Sequence, residues 1–216
     1  MKRIPTIIIG ARADGHAKVV LEILEAGEVY NVVGFIDDDK SKIGTEIRGI
    51  KVIGTTEDLK SLKDKIGVAA GIVAIGNNTM RRRLSDKIVS SGLELINAIH
   101  PTVHIDSDVE IGKGCYIGQG VILVTGTRIG NCVNIHTGAT IDHDNIIEDG
   151  ANLGPGVHTA GRVKIGRDAF LGTGAVVIPD ASVGENSIVG AGGVVINGLP
   201  ANVTAVGVPV KVINKN

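Results

Sequence analysis

The sequence predicts a small Rossmann-like α/β domain followed by a left-handed parallel β-helix. Three observations predict it. An aliphatic residue recurs every six positions from Ile105 to Val195. Segments of strand and helix character alternate through residues 1–100. Glycine is abundant and aromatic residues nearly absent, with 31 Gly against two Tyr, two Phe and no Trp in 216 residues.

The N-terminal elements follow in order. Ile4–Gly10 is a continuous apolar run, the pattern of a strand buried on both faces. Gly15–Ala26 carries Ala17, Val20, Leu21 and Leu24 at helical spacing. Val32–Asp37 is a second strand, and Ile47–Ile53 a short strand or hairpin. Thr55 and Asp58 form a capping pair that opens a helix through Leu62. Val68–Gly76 is a strand. Thr79–Ser91 is a helix stopped by Gly92. Leu93–Ile99 is a strand that runs into Pro101. Alternating strands and helices make a parallel sheet. The boundary falls at His100-Pro101, giving domains 1–100 and 101–216.

From residue 105 the register is six. Fifteen of the sixteen positions Ile105, Ile111, Ile117 and onward to Val195 are Ile, Leu or Val, and Thr159 is the exception. Gly follows the aliphatic residue at eight of the sixteen positions, and a small or β-branched residue usually stands four positions after it. Three sides of six residues close a coil of 18, and stacked coils form the β-helix. At about 4.8 Å per coil the prism is roughly 25 Å long. Large rings do not fit inside such a coil, which accounts for their scarcity. Val206-Gly207-Val208-Pro209-Val210-Lys211 leaves the coil and caps its end.

Composition excludes several classes. With 22 Lys+Arg and 23 Asp+Glu the formal charge is −1, against a generic nucleic-acid binder. At 43 % hydrophobic and 21 % charged residues the chain buries a core. Cys115 and Cys132 form neither a disulfide framework nor a CxxC site, and free thiols suit a cytoplasmic protein. No run approaches the ~20 apolar residues of a membrane span, and none resembles a signal segment.

Several motifs are able to carry chemistry. Gly10-Ala11-Arg12-Ala13-Asp14-Gly15-His16 joins a strand to a helix, where free backbone N–H groups accept phosphate. It also reads as an ordinary βα loop. Phe35-Ile36-Asp37-Asp38-Asp39 and Ile75-Gly76-Asn77-Asn78 end strands on the same side of the sheet, the side where ligands bind in open α/β folds. Asp142-His143-Asp144 places an outward histidine at a turn between two carboxylates. A carboxylate on one imidazole nitrogen fixes the tautomer and makes the other nitrogen a better base. His136, His143 and His158 raise a metal reading, but their spacing does not match a stack of 18, and no metal is expected. Cys115 falls on an inward position and reads as core. Arg81-Arg82-Arg83 reads as a solvated helix face, or as a contact for phosphate or a partner.

Together these motifs resemble a known family. The hexapeptide run closed by Gly-Val-Pro-Val-Lys, with Ile-Ile-Ile-Gly-Ala, Gly-His-Ala-Lys-Val-Val, Gly-Phe-Ile-Asp-Asp, Ala-Ile-Gly-Asn-Asn and Ile-Asp-His-Asp, is similar to the hexapeptide-repeat sugar acetyltransferases. That group includes the bacillosamine N-acetyltransferase and sialic acid O-acetyltransferase types. The resemblance covers essentially the whole chain.

The resemblance implies a homotrimer with acetyl-CoA lying along the β-helix between neighbouring subunits. It implies that the α/β domain holds a nucleotide-linked amino sugar. The family base matches His143 and its acidic helper Asp144. The CoA-contacting positions match Asn152, Thr173 and Ala191, with Asn152 standing where the bacillosamine enzyme carries histidine. Substrate contacts match Asp14, Gly15, His16, Asp37, Asp38 and Gly76. The expected activity is N-acetylation of a UDP-4-amino-4,6-dideoxy sugar for bacterial surface glycans, by direct transfer. O-acetylation of a sugar or sialic acid is the alternative. A metal-dependent lyase and a non-catalytic binding module are the readings from other classes.

Overall fold

The structure is a computed structural model that describes residues 3–10 and 15–215. The chain forms two compact units, Met1–Pro101 and Thr102–Asn216.

The first unit is a six-stranded sheet with three helices. Its elements are β1 (Ile4–Ile9), α1 (His16–Ala26), β2 (Tyr30–Ile36), β3 (Glu46–Ile47), β4 (Ile50–Gly54), α2 (Leu59–Ile66), β5 (Ala70–Val73), α3 (Asn78–Ser90) and β6 (Glu94–Leu95). The strand order is β3-β4-β2-β1-β5-β6. All neighbours run parallel except the β3–β4 hairpin. Ile7, Ile8 and Ile9 of the central strand are buried, as its unbroken apolar run requires. The chain passes from β1 to β2 on one side and later to β5 on the other. The carboxyl ends of β1, β2 and β5 therefore meet around a switch point. The Leu93–Ile99 segment is not one strand but two short ones, Glu94–Leu95 and Ala98–Ile99.

Thr55 and Asp58 do pair. Asp58 Oδ2 accepts from Thr55 N at 2.8 Å and from Thr55 Oγ1 at 3.0 Å. The first turn they close, Thr56–Asp58, is 3-10 rather than α, and α2 follows it.

The second unit is the left-handed β-helix. Each aliphatic position of the six-residue register ends a two-residue strand, from His104–Ile105 to Val194–Val195. Strands 18 residues apart pair in parallel, as in Tyr116↔Asn134 and Ile117↔Ile135. They build three faces. Face one carries 116–117, 134–135, 152–153, 170–171 and 188–189. Face two carries 104–105, 122–123, 140–141, 158–159, 176–177 and 194–195. Face three carries 110–111, 128–129, 146–147, 164–165 and 182–183. Ile135, Leu153, Leu171 and Val189 are fully buried, with Val133, Ala151 and Ala169 as their small inward companions. Cys115 is one of these inward residues, and its Sγ donates to Gly130 O at 3.1 Å. The chain leaves through Val203–Val206, which pairs with Ile188–Val189, and turns back as the antiparallel Lys211–Lys215.

Candidate active site

The α/β unit holds a cavity of about 480 Å³ at the carboxyl ends of β1, β2 and β5. Gly10, Gly15, His16, Asp37, Lys42, Ile75, Gly76 and Asn77 line it, with Ala74 behind. Gly10 has φ +108°, and a β carbon there would stand 2.9 Å from Ile75 Cγ1 and 3.0 Å from Ala74 O. Glycine at the end of β1 thus lets the Ala74–Ile75 segment after β5 pass close against it. Of the expected substrate contacts, Gly15, His16, Asp37 and Gly76 share this cavity. Asp14 lies outside the described residues. Asp38 turns elsewhere: its Oδ1 accepts from Thr56 N and Thr56 Oγ1, both at 2.8 Å, and holds the turn before α2.

Sequence reasoning missed Lys42. Its Nζ donates to Asp37 Oδ2 at 2.8 Å, and both side chains face the cavity. Asp39 N donates to the other oxygen, Asp37 Oδ1, at 3.0 Å. The available signal was a lysine five residues past the acidic strand end, where a single helical turn brings it back.

The arginine run also needs correction, because Arg81 is no part of a solvated face. It is fully buried. Its Nη1 donates to Ile75 O and its Nη2 to Asn78 Oδ1, each at 3.1 Å. Asn77 Oδ1 accepts from Met80 N at 2.8 Å and caps α3. Arg81 and Asn77 together fix the loop from β5 to α3, which forms one wall of the cavity.

In the β-helix, His143 and Asp144 occupy the turn between faces two and three. His143 Nδ1 lies 2.8 Å from Asp144 Oδ2. Asp142 does not touch the ring; its Oδ1 accepts from His143 N at 2.7 Å. Asp144 sits at φ +58°, a left-handed conformation that Asp tolerates better than most residues. The turn is stapled from inside. Asn145, fully buried, directs Nδ2 to Asp142 O and Ala160 O at 2.8 Å and to His143 O at 3.2 Å. Thr127 Oγ1 donates to Asp142 O at 2.9 Å. These polar inward residues stand in the coils that carry and precede the His143–Asp144 turn. One coil further on, Arg162 makes a two-pronged pair with Asp180 at 2.7 and 2.9 Å. Those hydrogen bonds hold the Asp180 carboxyl below the usual carboxylate range.

A different edge joins faces one and two. Its five left-handed turn residues are Gly120, Gly138, Gly156, Gly174 and Gly192, each with open space where a β carbon would stand. The other two edges place Cys132, Asp144, Arg162, Asp168, Asp180 and Asn186 in the same conformation. Turn geometry alone therefore does not demand glycine. What the five share is a bare edge, suited to an extended ligand lying against backbone. Thr173 and Ala191 sit on this edge beside Gly174 and Gly192, in successive coils. Asn152 does not; it lies within face one and is 4 % exposed.

His136 tilts against the Tyr116 ring, with centroids 5.1 Å apart, and His158 Nδ1 lies 2.8 Å from Thr140 Oγ1. Among the described residues no group of three or more His, Cys, Asp or Glu is placed to hold a metal ion. No helix of the described residues is long and apolar enough to cross a membrane.

Known proteins resemble this chain in sequence and fold. Residues 6–88 match the PglD N-terminal domain, and residues 162–197 match the bacterial transferase hexapeptide (six repeats). The GDP-perosamine N-acetyltransferase of Escherichia coli O157:H7 is 32 % identical over 178 residues, 82 % of this chain and 69 % of that protein. The first two curated relatives are matched over 22 % and 69 % of their own lengths. A histidine variant of perosamine N-acetyltransferase from Caulobacter crescentus, solved with CoA and GDP-perosamine, is 39 % identical. It superposes with a TM-score of 0.91 over 98 % of this chain and 97 % of that one. The acetyltransferase domain of PglB from Neisseria gonorrhoeae FA1090, solved with acetyl coenzyme A, is 32 % identical. Its TM-score is 0.88, over 98 % of this chain and 100 % of that one. By fold, by repeat and by similarity along most of its length, this chain belongs to the hexapeptide-repeat sugar acetyltransferases.

Proposed function

We propose that this protein transfers acetyl from acetyl-CoA to the amino group of a nucleoside-diphosphate-linked 4-amino sugar. The observation that carries this reading is the His143–Asp144 pair on an exposed turn, with Nδ1 held by the carboxylate and Nε2 left as the basic nitrogen. The relatives add support, since the Caulobacter enzyme is solved with CoA and GDP-perosamine and the Neisseria domain with acetyl coenzyme A.

In this reading residues 1–100 bind the nucleotide sugar. Gly15, His16 and Gly76 receive the diphosphate, and Asp37 with Lys42 meets the nucleoside. Residues 101–216 perform the transfer. Acetyl-CoA lies along the glycine edge at Thr173 and Ala191, where added β carbons would fill its bed. The sugar amine attacks the thioester carbonyl, and His143 Nε2 takes the amine proton. Asp144 stabilises the imidazolium that forms. The tetrahedral intermediate collapses with loss of the CoA thiolate, which recovers the proton from His143. No acyl-enzyme is needed, and both thiols, Cys115 and Cys132, are buried.

The base and the glycine edge lie at different edges of one β-helix, with face two between them. A second copy is therefore needed to bring them together, and a trimer of prisms supplies three such junctions. The neutral outward side chains of face two, including Ile122, Thr140 and Val176, suit that contact.

Thiol release from acetyl-CoA with GDP-, UDP- and dTDP-linked 4-amino-4,6-dideoxy sugars and free sialic acid tests the reading. Turnover with one nucleotide amino sugar supports it and names the base. Turnover only with sialic acid moves the assignment to O-acetylation. Sugar-nucleotide binding without thiol release from any acceptor overturns it in favour of a binding module.

A further inference from the structure

We infer that Gly161 is a positioning residue for the base: its missing β carbon is what lets the His143 imidazole lie in its working pose. The inference rests on the reading of His143 as the base. Gly161 stands one coil beyond His143, and the next residue, Arg162, donates its N–H to His143 O at 2.9 Å. A β carbon at 161 would lie 2.3 Å from Nε2, 2.5 Å from Cε1 and 3.0 Å from Cδ2. An approach in the ring plane along the Nε2 lone pair would leave Cε1 and Cδ2 equidistant. No in-plane position outside the ring satisfies 2.3 Å to Nε2, 2.5 Å to Cε1 and 3.0 Å to Cδ2 together, so that carbon stands over the ring face. The Nε2 end of the imidazole thus occupies the space a side chain at 161 would take.

Two other common demands for glycine do not apply here. Its φ lies outside the left-handed range. Gly112, Gly154, Gly166, Gly172 and Gly184 each need to be glycine because a β carbon would strike backbone of the next coil below 3.0 Å. At Gly161 the three nearest atoms all belong to the His143 ring. An added methyl would therefore be accommodated by moving a side chain, which costs the fold little and the chemistry much. Gly126 plays the matching part on the other side, where a β carbon would lie 2.3 Å from Asp144 Oδ1. Its φ of +74° makes alanine strained there for a second reason, so Gly161 is the informative site.

The test is a double-mutant cycle on the full-length protein with acetyl-CoA and its sugar-nucleotide acceptor. Gly161→Ala is expected to lower kcat about 10- to 100-fold, the scale of an ångström-sized misplacement. KM for both substrates should stay within about twofold of wild type. In the His143→Ala background, with no ring to displace, Gly161→Ala should cost nothing further. Full turnover in Gly161→Ala overturns the inference. So does an equal loss in both backgrounds, which would make the glycine merely structural. Wild-type turnover in His143→Ala alone would instead sink the base reading, and this inference with it. Should Gly161→Ala fail to fold, glycine-labelled wild-type protein offers a second readout. The overlying ring should shift a Gly161 Hα resonance upfield, and His143→Ala should restore it. An unshifted resonance overturns the inference.

Discussion

His143 and Asp144 are neighbours in the chain, and their side chains still meet, Nδ1 to Oδ2 at 2.8 Å. Adjacent residues in a strand point to opposite faces. These two converge because Asp144 takes φ +58° in the turn, which rotates its carboxylate back toward the ring. Asn145 and Thr127 hold that turn from inside through the carbonyls of Asp142, His143 and Ala160. The proposed base is thus built on a hydrogen-bonded corner of the β-helix.

His143→Ala is expected to lower kcat about 10²- to 10⁴-fold, the usual contribution of a positioned base. Asp144→Asn keeps the shape and loses the charge, and should cost less, about 10- to 100-fold by the same reasoning. Steady-state thiol release checks both, with little change expected in either KM.

Lys42→Ala should raise KM for the sugar nucleotide and leave KM for acetyl-CoA unchanged. A charged hydrogen bond is worth about 1.5–3 kcal/mol, so the expected rise is about 10- to 100-fold. An equal effect on both substrates would show that Lys42 acts on the fold.

Arg81→Met should lower stability by about 2–4 kcal/mol, because Ile75 O and Asn78 Oδ1 lose their donor in a buried place. Denaturant unfolding measures the loss. Surviving protein should bind the sugar nucleotide poorly, since the wall from β5 to α3 loosens.

Thr159→Val should raise stability by about 1 kcal/mol. Thr159 is 3 % exposed, and its Oγ1 finds no hydrogen-bond partner among the described residues. Removing an unsatisfied buried hydroxyl while keeping the volume restores the aliphatic register.

Asp58 titrates low because Thr55 N and Oγ1 donate to it. A lowered carboxyl stabilises the fold above its ordinary pKa and loses that contribution as pH falls through the lowered value. Asp58→Asn should therefore lose less stability than wild type as pH falls from about 5 to below the ordinary carboxyl value. Urea midpoints across that range check the sign.

Much of this was legible in the chain. The period of six needs only local information, since every repeat carries its own inward aliphatic residue and its own turn. The α/β order was legible for the same reason, with apolar runs for strands and spaced apolar faces for helices. Adjacency left Asp142 and Asp144 equally placed beside His143, and only the family resemblance singled out Asp144. Arg81 could not be read, because three consecutive arginines look alike until the helix rotates one of them inward. Asp38 could not be separated from Asp37, because only the turn before α2 shows which carboxylate Thr56 occupies. Gly161 was silent among 31 glycines.

The architecture therefore belongs to the sequence, through patterns that repeat within a few residues. The working of the site belongs to the tertiary structure. Residues a whole coil or several elements apart meet there, as Gly161 meets His143 in one unit and Lys42 shares a cavity with Gly76 in the other. Only folding sets the distances at which a missing methyl, an ion pair or a buried guanidinium begins to matter.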